Sequence, residues 1–240
     1  MQYFKDWQPT YEPGKYRTYA NPRYRNALVN HGKEHGRGFC PANRTAPLPA
    51  LGMKSSYINV PEAKLASYAK GYTKEDAPIR MASGVLSSET YGIRTTVADM
   101  IRFVEANMDS IGLDDKLQRA ITATHTGYFK AGPMTQDLIW EQYPYPVTLK
   151  TLLEGNAPEI IFNATPVTEL SPLEKPHDNV WINKTGSTTG FGAYVAFVPE
   201  RRLGIVILAN KSYPIADRVT TAYQILMSLD DGRARNGKLR

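Results

Sequence analysis

Residues 180–198 read Val-Trp-Ile-Asn-Lys-Thr-Gly-Ser-Thr-Thr-Gly-Phe-Gly-Ala-Tyr-Val-Ala-Phe-Val, and this stretch constrains the fold more than any other. Two apolar, β-prone runs flank a cation, a hydroxyl and a glycine, so Lys184-Thr185-Gly186 sits at a strand position. Side chains alternate along a strand, which puts Thr185 and Ser187 on the same face. Gly186 has no Cβ and lets another group lie close to the backbone. Lys184 supplies a compact positive charge with three donors. Together these residues describe a sheet edge that receives an extended, anionic ligand. An ordinary strand entering a glycine turn has the same tripeptide, so its meaning depends on its surroundings.

The chain that follows is regular. Gly192–Val198 and Leu203–Ala209 are two strands joined by the short loop Pro199-Glu-Arg-Arg202. With Trp181–Thr185 they predict three sequential antiparallel strands. Asp217 then caps a helix whose Val219, Ala222, Tyr223 and Leu226 form an apolar stripe, and that helix covers one face of the sheet.

Further upstream the pattern is less even. Thr96 followed by Asp99 resembles a capping box and opens a helix over 97–108 with Val97, Met100, Ile101 and Val104 as its stripe. Leu117–Thr124 is a second helical stretch. Tyr57–Val60 and Tyr68–Tyr72 read as short strands, and 127–178 as mostly loops with short elements. The division expected is a mostly helical and loop region over 1–178, sheet strands with a C-terminal helix over 179–230, and a disordered basic tail over 231–240. The fold class is α/β of the α+β type, an antiparallel sheet flanked by helices.

Composition excludes several classes of function. Hydrophobic content of 42% with 22% charged residues belongs to a soluble globular chain. No apolar run is long enough to span a bilayer, and the first residues hold no apolar signal-peptide core. A single cysteine, Cys40, excludes an internal disulfide framework. His31 and His35 stand four apart and flank Gly-Lys-Glu in a glycine- and arginine-rich stretch, where no metal site is expected. The net charge of +6 is concentrated in 23–44 and the tail. No nucleic-acid motif accompanies it, and neither a nucleic acid nor a membrane is expected as partner.

Two further motifs complete the picture. Thr18-Tyr19-Ala20-Asn21-Pro22 is a loop, because Asn-Pro disfavours continued helix, and it offers Tyr19 and Asn21 from one short segment. Taken alone, a buried structural tyrosine accounts for Tyr19 as well as a catalytic one. Tyr19-Ala20-Asn21, Lys184-Thr185-Gly186 and the closing stretch from Gly190 to Lys211 closely resemble class C β-lactamases. So do Trp7-Gln-Pro9, Pro49–Met53, Ile58–Pro61 and Tyr91–Thr95.

The resemblance implies a β-lactamase/transpeptidase-like fold and a serine hydrolase that opens β-lactam rings, cephalosporins among them, through an acyl-enzyme. Tyr19 would move protons, as a phenolate or through a hydrogen-bond network, and Lys184 would hold it electrostatically. Asn21 would bond the ligand's side-chain amide. Tyr91 would form an aromatic wall. Thr185 and Ser187 would meet the ligand's carboxylate or backbone beside Gly186, with Arg218 supporting carboxylate recognition, and the strand around Ser187 would supply an oxyanion-hole amide. The ligand is a small β-lactam, the protein a periplasmic monomer, and no cofactor is needed.

Three departures stand against the family pattern. The nucleophile motif, Ser-x-x-Lys, belongs ahead of the Tyr-x-Asn loop, whereas the only Ser-x-x-Lys here is Ser67-Tyr-Ala-Lys70, downstream of it. The chain as given is therefore expected to be inactive alone. Residues 23–47 lack any helical or strand period where the family has a hydrophobic helix, the pattern expected of two compensating reading-frame shifts. Ile215 stands where the family usually has an amide residue. The alternatives are a non-catalytic remnant, or a relative of the penicillin-binding proteins or esterases.

Overall fold

The structure, a computed structural model, describes residues 8–19, 47–80, 87 and 91–237, the last four as backbone only. Asn21 and the aperiodic residues 23–46 lie outside them. In chain order the elements are β1 (Tyr16–Arg17), α1 (Pro47–Ala50), a 3-10 turn (Glu62–Ser67), β2 (Gly71–Tyr72), β3 (Pro78–Ile79), α2 (Val97–Asn107), α3 (Asp115–Ala123), β4 (Gly127–Ala131), β5 (Met134–Gln136), β6 (Glu141–Pro144), α4 (Leu149–Gly155), α5 (Pro158–Phe162), β7 (Thr165–Pro166), β8 (Thr168–Glu174), β9 (Val180–Thr188), β10 (Phe191–Val198), β11 (Leu203–Ala209) and α6 (Ile215–Gly237).

Seven strands form one antiparallel sheet in the order β11-β10-β9-β6-β5-β4-β8. The three sequential strands read from the sequence form one end of it. The alternation along β9 and β10 sorts their side chains onto two faces. Trp181, Tyr194, Ala196 and Val198 face α6, where they pack with Val219, Ala222 and Leu226 and with Leu152 of α4. Val180, Ile182, Val195 and Phe197 face the other way and pack with Val104 of α2 and with Trp140. The sheet is thus covered on both faces here, which is why β10 and the start of β9 are apolar at nearly every position.

Residues 127–178 differ from the expectation of mostly loops. They supply β4, β5, β6 and β8, so the sheet runs across residue 178 without a break. These strands are short and carry Lys130, Thr135, Gln136 and Glu141, so no period of two stands out. The tail also differs. Helix α6 begins at Ile215, with Asp217 inside its first turn rather than at the cap, and continues to Gly237. Tyr145 donates to Asp230 at 2.7 Å and Arg233 donates to the carbonyl of Arg201 at 2.6 Å, ties that hold its C-terminal half. The strand expected over 57–60 reduces to one bridge between Tyr57 and Arg94, and that over 68–72 to Gly71–Tyr72.

Helix α2 starts where its sequence signal places it. The Thr96 hydroxyl accepts from the Asp99 amide at 3.2 Å. Asp99 is itself buried and accepts from the Ser55 amide and the Ser56 hydroxyl, both at 2.7 Å. Replacing Thr96 by alanine is expected to lower stability by about 1 kcal/mol, read as a shift of the urea midpoint at constant slope. An unchanged midpoint would show that Asp99 alone fixes the helix start. No helix among the described residues is long and apolar enough to cross a membrane.

Candidate active site

The pairing of β9 changes in mid-strand. On one side it runs with β10 as far as Thr188 opposite Phe191. On the other side the pairing with β6 stops at Asn183 opposite Glu141. From Lys184 onward one edge of β9 has no strand partner among the described residues, so its amides and carbonyls are available to an extended ligand. Gly186 and Ser187 are exposed there. A Cβ on Gly186 would meet only the Cβ of Ala193, at an ordinary 3.7 Å. Among the described residues, then, packing does not demand glycine at 186.

Lys184 lies between two groups. Its Nζ stands 5.2 Å from the ring centroid of Tyr19 and 3.5 Å from Oε1 of Glu141, and it donates to the carbonyl of Thr185 at 3.2 Å. Tyr19 is 45% exposed. It follows β1, which pairs with β7 through Tyr16 opposite Pro166 and Arg17 opposite Thr165.

Arg17 fixes that segment to the sheet. It donates to Oε1 of Gln136 at 2.6 Å, to the carbonyl of Ile160 at 2.9 Å and to Oε1 of Glu141 at 2.8 Å. Glu141 is 3% exposed, so its carboxylate is a buried charge held by two cations, Arg17 and Lys184. Its Oε2 accepts from Asn183 at 3.4 Å. Asn183 in turn accepts from the Tyr194 hydroxyl at 2.8 Å and from Asn156 at 3.1 Å. Sequence reasoning missed Arg17, Gln136, Glu141 and Asn183. A signal existed in Trp140-Glu141-Gln142-Tyr143: a carboxylate inside a strand covered on both faces requires a cation.

The remaining expected residues distribute as follows. Thr185 and Ser187 share the face turned to α6, and Ser187 Oγ accepts from Nη2 of Arg218 at 2.8 Å. Arg218 is buried, and burial holds its guanidinium below the usual range. Tyr91 is half-buried in a turn, its amide bonded to the Ser87 carbonyl at 3.2 Å, and no hydrogen bond or ring contact among the described residues joins its side chain to β9. Asn21 lies outside the described residues. Ser67 and Lys70 are both exposed, at and after the end of the 3-10 turn, and no hydrogen bond among the described residues connects their side chains. No group of three or more His, Cys, Asp or Glu among the described residues could hold a metal ion.

The site is thus an antiparallel sheet covered by helices on both faces, with a Lys-Thr-Gly strand half open beside a tyrosine. A family model described as Beta-lactamase matches residues 1–229, and the chain belongs to that family. Its relatives include class C members. A beta-lactamase from Lysobacter lactamgenus is 47% identical over 224 residues, covering 93% of this chain and 58% of the relative. The crystal structure described as D-alanine carboxypeptidase AmpC from Burkholderia cenocepacia is 52% identical with a TM-score of 0.93, covering 95% of this chain and 65% of that one. A class C beta-lactamase in complex with cefoxitin is 48% identical with a TM-score of 0.91, covering 95% and 63%. The chain thus spans about three fifths of the length of the relatives it matches.

Proposed function

We propose that this chain carries the Lys-Thr-Gly side of a class C β-lactamase site, and that the protein opens cephalosporins and related β-lactams through a serine acyl-enzyme. The observation that carries this reading is the open edge of β9 after Asn183, with Lys184 Nζ 5.2 Å from the Tyr19 ring. A serine hydroxyl attacks the lactam carbonyl, the ring C–N bond breaks with proton transfer to nitrogen, and water later cleaves the ester. Tyr19 and Lys184 handle the proton, Asn21 and Tyr91 hold the side chain of the ligand, and the Ser187 amide receives the oxyanion. The serine itself is assigned to the part of the relatives' length that this chain does not span. The reading takes the protein as a periplasmic monomer that needs no cofactor.

A second reading within the same chemistry is cleavage of D-alanyl peptides. It is favoured by the Burkholderia relative, which is described as a D-alanine carboxypeptidase.

Cefoxitin binding tests the proposal. Equilibrium dialysis is expected to detect cefoxitin bound to the 240-residue chain, with affinity lost in Lys184→Ala. Intact-mass spectra are expected to show no acyl adduct on this chain and an adduct on a version extended upstream through a Ser-x-x-Lys motif. Failure to bind, or an adduct on Ser67, would overturn the reading.

A further inference from the structure

The turn that carries Tyr91 is pinned from one side chain, Arg94. Tyr91 is half-buried and the next residue, Gly92, is buried. The Tyr91 amide donates to the Ser87 carbonyl at 3.2 Å. Three residues on, Arg94 exchanges backbone hydrogen bonds with Tyr57 at 2.7 and 2.8 Å, the isolated bridge of this region. Between those ties the guanidinium folds back over its own turn. Its Nη1 donates to the carbonyl of Gly92 and, at 3.1 Å, to that of Ile58. Its Nε donates to the Tyr68 hydroxyl at 3.4 Å. Tyr68 is covered in turn by Arg80, whose Cζ lies 4.7 Å from the ring centroid.

Three segments far apart in sequence therefore meet on one group: the bridge at 57–58, the residue after the 3-10 turn, and the turn 91–94. The acceptors are two carbonyls and a hydroxyl, with no carboxylate among them. What Arg94 supplies is geometry, because a guanidinium is a planar fork whose donors point in fixed directions. A lysine ammonium is a point charge on a flexible stem and cannot reproduce that fork. The Tyr91 ring has no stacking partner among the described residues, so its direction follows the backbone that carries it. That backbone is fixed at the amide of Tyr91 and at the carbonyl of Gly92.

We propose that Arg94 is the positioning residue of the Tyr91 wall, and that it sets how the site accepts the acyl side chain of a β-lactam. Arg94 acts through the 91–92 turn and not by contact with the ligand. Discrimination between ligands with and without a bulky acyl group then depends on a residue outside the Tyr-x-Asn and Lys-Thr-Gly motifs. This rests on the β-lactam reading, which gives Tyr91 the ligand's side chain.

The test compares cephalothin with 7-aminocephalosporanic acid, which differ only in the thienylacetyl group on the amine. Each is bound to the 240-residue chain, to Tyr91→Ala, to Arg94→Met, to Arg94→Lys and to the Tyr91→Ala, Arg94→Met double variant. The wild type is expected to prefer cephalothin about tenfold, the size of one good aromatic contact. Tyr91→Ala and Arg94→Met are each expected to erase that preference and leave affinity for the bare nucleus unchanged. The double variant is expected to lose nothing more, since the two residues act as one unit. Arg94→Lys keeps the charge and is expected to lose the preference as well; it decides the matter where Arg94→Met shows no cooperative urea transition. Equal weakening of both ligands, which a merely structural role would give, overturns the proposal. So does an Arg94 loss that adds in full to the Tyr91 loss, or a preference that survives in Arg94→Lys. Wild-type binding of the two ligands with equal affinity would overturn it while leaving the β-lactam reading intact. Binding of neither would overturn both.

Discussion

Urea unfolding is expected to give a stability that falls between pH 7 and pH 8.5 by up to about 1.4 kcal/mol per pH unit, and Asp137→Asn is expected to abolish that slope. Asp137 is 3% exposed, and neither of its carboxylate oxygens has a hydrogen-bond partner among the described residues. Burial, and then the Glu174 carboxylate, push its pKa from 3.8 up to about 9, with Lys130 opposing and Glu141 adding to the rise. Unfolded, the group has released its proton well below neutrality. Folded, it keeps the proton until about pH 9. Across that interval the folded chain binds one more proton, so raising the pH favours unfolding. His125 acts oppositely at lower pH. Burial lowers its pKa from 6.5 to about 4, so its contribution to stability grows as pH rises to 6.5 and is constant above that. His125 therefore adds no slope above pH 7. Asparagine cannot ionise, so the variant should be the more stable chain at pH 8.5. An equal slope in both chains would mean that Asp137 is already ionised and partnered at neutral pH.

Local pattern and non-local pairing separate what was legible in the sequence from what was not. β9, β10 and β11 are consecutive hairpin partners, so alternation along each was enough to place Lys184 and Gly186 on a strand and Ser187 beside Thr185. Helix α2 was legible because Thr96 carries its start signal. β4 to β6 and β8 were not: β4, β5 and β6 pair as consecutive neighbours but are short and carry Lys130, Thr135, Gln136 and Glu141, so no alternation stands out, and the pairings of β6 with β9 and of β8 with β4 are distant. Nothing local distinguishes Gly127–Ala131, with Lys130 in it, from a loop. Residues 231–237 looked like a solvated basic tail, yet they continue a helix held by Tyr145 and Arg201 from elsewhere in the chain. The site divides the same way. Lys184 and Tyr19 were readable as motif residues. The contacts of Arg218 were not, since four of its five acceptors are backbone carbonyls, which every sequence has.

Glu141→Ala is expected to cost about 3–5 kcal/mol of folding stability, because it leaves two cations without their shared buried carboxylate. Arg17 is 10% exposed and Lys184 is 23% exposed at the side chain, so Arg17 bears most of the loss. Glu141→Gln keeps an acceptor for Arg17 and should cost less. The two variants should also differ in what they do to the site. Arg17 stands two residues before Tyr19, and it binds Gln136, Glu141 and the Ile160 carbonyl at once. A single carboxylate therefore ties the Tyr19 segment to the strand that carries Lys184. In Glu141→Gln the geometry of the Arg17 contact survives while the charge near Lys184 is removed, so cefoxitin binding should persist and stability should fall only in part. In Glu141→Ala the segment loses the charged one of its three Arg17 contacts and binding should fall with stability. Urea curves and dialysis on the same three proteins decide it. If alanine costs under about 0.5 kcal/mol, the ion triad contributes no more than an exposed pair would, and the Tyr19 segment is held by the β1–β7 pairing instead.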